Sequence, residues 1–166
     1  MKNLGKRLVI LPFILLLLYA CEDKNNDIQL NNSIYSFLTG TTWVDTVHTS
    51  SDAYYVYQLT FNDDESFTAR TSSYSASDSL ANAGLSGWFV YTGNYSVSKD
   101  SLNFISTELT SWESSQGFNP MTLHEQRVIF DNCTFELDKD GLILNYTTYP
   151  DNISQKTVRS YKQLDN

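Results

Sequence analysis

Histidine occurs only twice in these 166 residues, and cysteine only twice. His48 lies three residues from Asp45, and His124 lies beside Glu125. Residues one or three apart on a strand point to opposite faces, so neither pair forms a dyad. Zinc needs clustered thiolates and imidazoles at ligand spacing, and no Cys pair or spaced His set exists. Asp138-x-Asp140-Gly141 opens like a calcium loop but runs straight into Leu142-Ile143-Leu144, so it reads as a hairpin turn. The serines lack a Gly-x-Ser-x-Gly elbow. Together these absences point away from an enzyme, a metal site or a cofactor. Positive charge is scarce as well: 11 Lys and Arg face 19 Asp and Glu, for a net charge of −8. No basic stripe is available for nucleic acid.

One long hydrophobic run is present, at the N-terminus. Lys2, Lys6 and Arg7 precede an apolar stretch from Leu8 to Leu18, broken only by Pro12. A bilayer core of about 30 Å needs roughly 20 apolar residues, so this run is too short to span and reads as a signal peptide over 1–20. It ends in Leu18-Tyr19-Ala20-Cys21, which resembles the lipobox of bacterial lipoproteins and makes Cys21 the lipidated N-terminus. Acyl chains add about 0.8 kcal/mol per buried methylene, enough in combination to anchor a domain to a membrane without spanning it. Glu22 and Asp23 after that cysteine resemble the surface-export signal of Gram-negative lipoproteins, implying an outer-membrane protein at the cell surface; the alternative faces the periplasm. Processing removes three cations and no acid, leaving 8 basic against 19 acidic residues, a formal −11. With Cys21 acylated, Cys133 has no partner for an internal disulfide.

Residues 21–38 start polar and Asn-rich and read as a tether, with Ile34, Tyr35, Phe37 and Leu38 able to form a short helical plug. The rest, 39–166, is one domain's worth of chain. Its apolar period is two: Tyr55, Tyr57, Leu59 and Phe61; Phe89, Tyr91, Tyr95 and Val97; Leu142, Leu144 and Tyr146. No window carries a helical apolar stripe, so the domain is all-β. Eight strands are predicted, near 42–49, 53–62, 66–74, 87–97, 101–107, 124–137, 141–149 and 156–163, the sixth bent near Asp131 and Asn132. Short turns at 62–65, 98–100 and 138–141 alternate with long loops at 75–86 and 108–123. In an up-and-down meander, alternate connections share an end, which predicts an eight-stranded antiparallel barrel with a tight base and a loop-rimmed mouth. A two-sheet β-sandwich is the alternative.

Gly40-Thr41-Thr42-Trp43 has the Gly-x-x-Trp form, and the stretches 57–62 and 93–97 are similar to the F-x-x-D-G and G-x-Y strands of the lipocalin-like domains of the calycin superfamily. The turn glycine expected after Asp63-Asp64 is absent. The resemblance implies that Trp43 opens strand one at the closed base, covered by a basic residue of the last strand: Arg159 first, Lys162 second. A cation over indole contributes roughly 0.5 to 2 kcal/mol.

For function, the organisation suggests a membrane-anchored lipoprotein that binds a small apolar ligand or a glycan at the open end, with Tyr74, Trp112 and Phe118 as aromatic contacts. The alternative is a structural or interaction module whose barrel is filled by its own side chains. Asp45-Thr46-Val47, Asp78-Ser79-Leu80 and Asp100-Ser101-Leu102 resemble Asp-(Ser/Thr)-aliphatic glycosylation sites, with Ser79, in a loop, the best placed.

Overall fold

The structure is a computed structural model that describes residues 29–50, 53–75, 84–116, 119–138, 141–147 and 156–164. Cys21, Ser79 and Phe118 lie outside them. The described chain forms a helix, α1 (29–38), and nine strands. The strands are β1 (Thr41–Ser50), β2 (Ala53–Phe61), β3 (Ser66–Ser75), β4 (Gly84–Ser98), β5 (Ser101–Glu113), β6 (Met121–Ile129), β7 (Asp131–Asp138), β8 (Gly141–Thr147) and β9 (Lys156–Gln163). Burial alternates along them as the period-two pattern requires: in β8, Leu142, Leu144 and Tyr146 are buried and their neighbours are not.

Eight strands close into an antiparallel ring, β1-β2-β3-β4-β5-β7-β8-β9, and β6 adds to β5 as a ninth. The ring replaces the sandwich alternative. The sixth strand, expected as one bent segment, is two. Phe130 and Asn132 both adopt φ 52°, a left-handed conformation that interrupts the strand. The lower part, β7, pairs with β8, whereas β6 pairs with β5 and is exposed along nearly its whole length.

The second departure concerns the loop expected over 108–123. β5 continues to Glu113 and β6 starts at Met121, so most of that stretch is a hairpin, held in part by Thr110 and Thr122 hydroxyls 3.1 Å apart. Polar residues on both faces hid the strands, because neither face is packed on a core. β5 bends where Thr107 has no partner: Ser106 faces Gly93 and Glu108 faces Thr92. This is a β-bulge, and bulges sharpen strand curvature. The buried Ser106 hydroxyl donates to the carbonyls of Thr92 and Glu108 across the irregularity, at 3.2 and 3.0 Å.

The turns at 62–65 and 99–100 lie at the base, where α1 also packs. Glu65 (φ 61°) and Lys99 (φ 53°) take the left-handed positions, so Glu65 does the work of the missing turn glycine. Asp64 accepts the Ser66 N–H at 3.1 Å, and hydrogen bonding to Ser66 holds its carboxyl below its ordinary value. Residues 34–38 form the short helical plug expected at the end of the tether: Leu38 is fully buried, Ile34 and Tyr35 pack on the cluster, and the Tyr35 hydroxyl accepts the Val97 N–H at 3.0 Å. Trp43 is fully buried beside this plug, its Nε1 donating to the Thr41 hydroxyl at 2.7 Å and its ring 6.0 Å from Phe37. Above it Phe61, Phe67, Tyr95 and Phe104 fill the lower half with edge-on contacts, Phe67 to Phe104 at 5.1 Å and Phe61 to Tyr95 at 4.9 Å. The base is therefore solid.

Candidate functional site

The upper half is hollow. On the inward face, β2 supplies Tyr55 and Tyr57 and β4 supplies Phe89 and Tyr91, but the strand between them, β3, places the small Ala69 and Thr71 on that parity, with Arg70 also among the lining residues. Small side chains between two aromatic walls leave a cavity of about 520 Å³. That lies within the usual range for small-molecule sites, roughly 300–1,000 Å³. Phe130 forms part of its floor, edge-on to Phe104 at 5.2 Å and to Tyr146 at 4.8 Å. The left-handed backbone at Phe130 thus turns its ring onto the boundary between the packed and hollow halves.

Arg159 lines the cavity and is the residue around which its polar contacts gather. Its Nη1 donates to Asp45 Oδ2 at 2.9 Å, its Nε to the Tyr146 hydroxyl at 3.3 Å, and its guanidinium lies 3.4 Å from the Tyr57 ring centroid. The two charged side chains are only 12% and 21% exposed. Asp45 is on β1 and Arg159 on β9, strands whose backbones pair only at Trp43 with Gln163 and Val44 with Lys162. The ion pair therefore bridges the seam beyond the point where main-chain pairing ends. Burial alone would lower the Arg159 pKa; the hydrogen bond with Tyr146 and the surrounding tyrosines outweigh it, and the pKa sits above its ordinary value. Burial pushes the Tyr146 and Tyr161 hydroxyls up, so both are neutral at physiological pH. It also pushes the Cys133 thiol up to about 12, which removes its nucleophilic form near neutrality.

This geometry corrects the expected place of Arg159. It does not cover Trp43, because Trp43 sits opposite Gln163, four residues further along β9, a separation of about 13 Å at 3.3 Å per residue. Lys162 is opposite Val44, whose side chain points away from the Trp43 face. The tryptophan is covered by α1 instead. The expected aromatic rim is also corrected. Trp112 pairs across from Trp88, on the parity of β5 opposite to the cavity residue Leu109. Tyr74 stacks on Tyr54 with ring centroids 4.7 Å apart and planes within 5°, again on the outer face. Arg70 belongs to that face too, its guanidinium 5.0 Å from the Trp88 ring and its Nε donating to Ser72 at 3.0 Å. His48 is exposed against Tyr54, and His124 meets Glu108 across β5 and β6 at 3.4 Å, not Glu125. Among the described residues no three His, Cys, Asp or Glu side chains come together as a metal cluster would require.

No protein-family model matches the chain, and no curated protein or solved structure does so either. The functional reading rests on the site itself. Its own residues were missed in the sequence because Tyr55, Tyr57, Phe89 and Tyr91 read as core. A signal was available: Asp45 shares the inward parity of Trp43, and Arg159 that of Tyr161, on the first and last strands that a closed meander makes neighbours.

Proposed function

We propose that the protein is a membrane-anchored extracytoplasmic lipoprotein whose lipocalin-like barrel binds a small apolar ligand in its open half, without chemical conversion. The cavity carries this reading: a barrel of eight strands is just wide enough to be filled by its own side chains, and here the upper half is not filled. Its walls are mostly aromatic and aliphatic side chains, with a few hydroxyls, Gln58, Arg70 and Arg159 among them and Arg159 already paired with Asp45, which suits an apolar molecule better than a glycan. Thr71→Phe would place a ring between Tyr57 and Phe89, which flank Thr71 on the adjacent strands. Overpacking of this kind costs about 1–3 kcal/mol, and the hollow gives the ring somewhere to go. The neutral dye N-phenyl-1-naphthylamine is expected to brighten and saturate with the wild type and to bind the folded Thr71→Phe variant at least about tenfold more weakly. Equal binding to both proteins would remove the interior as the site.

The anchor rests on the sequence ending at Ala20-Cys21. No helix among the described residues is long and apolar enough to cross a membrane. Mass spectrometry of the membrane fraction is expected to show an acylated Cys21, and Cys21→Ser to move the protein out of that fraction; a wild type cut elsewhere and recovered soluble would end this reading. Because α1 joins the barrel at its base, such an anchor puts the cavity on the side away from the lipid. A protein-interaction role has its own support in β6, where Met121, Leu123 and Val128 are exposed.

A further inference from the structure

The site's electrostatics say which ligands the cavity accepts. Arg70 and Arg159 both line the hollow; the Arg70 guanidinium is drawn onto Trp88 and Ser72, which leaves Arg159 as the cation held within it. An isolated buried guanidinium would make the cavity a trap for anions. Here its charge is already met: Asp45 holds Nη1 at 2.9 Å with both side chains largely out of water. We infer that the cavity selects uncharged ligands, and that Asp45 is the residue that sets this preference by occupying the guanidinium in place of a ligand's anionic group. The inference rests on the interior as the binding site and specifies the class of ligand that site takes.

Three observations support it. First, a ligand carboxylate or sulfonate reaching Arg159 would lie close to the Asp45 carboxylate in a poorly solvated space, and like charges there repel far more than in water. Second, Nε is committed to Tyr146 and one guanidinium face to Tyr57, so displacing Asp45 would leave a buried carboxylate without its partner. Third, the net charge of −8 disfavours the approach of anions at long range. An uncharged molecule meets none of these costs. It can stack against Tyr57, Phe89 or Tyr91 and accept a hydrogen bond from a tyrosine hydroxyl or from Nη2, the guanidinium nitrogen that neither Asp45 nor Tyr146 uses.

Two dyes sharing one scaffold test this directly: N-phenyl-1-naphthylamine is neutral, and 1-anilinonaphthalene-8-sulfonate is the same molecule with a sulfonate. Cavity binding is taken as the signal lost in Thr71→Phe. The wild type is expected to bind the neutral dye about tenfold or more tightly than the anionic one, and Asp45→Asn to reverse or erase that ratio by freeing the Arg159 charge. The double variant Asp45→Asn/Arg159→Met, which removes both charges, is expected to keep the neutral dye and gain nothing for the sulfonate. Equal or tighter wild-type binding of the sulfonate inside the cavity would overturn the inference while leaving the interior as the site. A folded Asp45→Asn with an unchanged ratio would overturn it as well. Binding of neither dye would overturn the interior site, and this inference with it. The wild-type ratio decides the matter where the single variant fails to fold.

Discussion

Gly93→Ala is expected to cost more than about 4 kcal/mol, the range reached only by a few severe mechanisms, and to leave little folded protein. A Cβ at this position would stand 2.0 Å from the Ile105 carbonyl oxygen and 2.7 Å from the Ser106 Cα. Both are backbone atoms, so no side chain can move aside. The close approach exists because β5 bulges at Thr107, directly against Gly93, to turn the wall inward. Relieving the clash means parting β4 from β5 where Ser106 is buried, and breaking the two hydrogen bonds its hydroxyl makes there. Gly84→Ala, on the same strand, is the matched control. Nothing lies within 4 Å of its Cβ, and a change within about 0.5 kcal/mol is expected, as for most surface substitutions. Circular dichroism and urea titration of both variants check the contrast; a Gly93→Ala protein as stable as the control would show that the bulge can relax.

Trp43→Ala is expected to destabilise the barrel by about 3 to 5 kcal/mol, the cost of removing a large buried aromatic and leaving a partly collapsed cavity. The indole is fully buried between the base of the barrel and α1, and it fixes Thr41, whose hydroxyl takes the indole proton and also donates to the Leu38 carbonyl. Removing the ring therefore loosens the helix as well as the core. A domain of this kind has about 5–15 kcal/mol of stability in all, so the loss is a large part of it. A lower urea midpoint with an unchanged slope is the expected signature. A change below about 1 kcal/mol would mean that the helix closes over the gap.

The wall of the barrel was legible because the strands packed on the core carry a period of two, and the bend near Asp131 and Asn132 was legible because two polar turn formers interrupt a strand too long for its neighbours, just after Val128-Ile129-Phe130. β6 was legible from His124 onward, inside the strand expected over 124–137; its first residues, Met121–Leu123, fell in the expected loop because they are exposed and packed on no core. Length also misled, since the Ser, Thr and Glu content of 108–123 suits a loop while its backbone pairs as a hairpin. The resemblance directed attention to Trp43 and Arg159, but register decides contacts, and four residues along β9 separate the indole's level from the guanidinium. The cavity was the hardest feature to read. It is made by what β3 lacks at Ala69 and Thr71, and the tyrosines around that gap look in sequence like ordinary filling.

The seam between β1 and β9 also bears on how the barrel forms. Every other neighbouring pair joins consecutive strands, apart from β5 with β7, which only β6 separates. These contacts can assemble as local hairpins in a curling ribbon. Trp43 and Gln163, by contrast, lie 120 positions apart in the chain (163 − 43). Bringing them together closes nearly the entire domain into one loop, and the entropy cost of a loop rises with the logarithm of its length. The reward at the meeting point is two register pairs, the Leu164 N–H to Thr42 carbonyl bond at 2.8 Å, and one ion pair. Long-range closure against so small a local return makes the joining of β1 to β9 the expected slow step of folding. The finished ring is thin in main-chain bonds at this line and at one other, β5 with β7, where a single register pair, Ser101 with Thr134, joins the strands, and these two lines are where it parts with the least main-chain disruption.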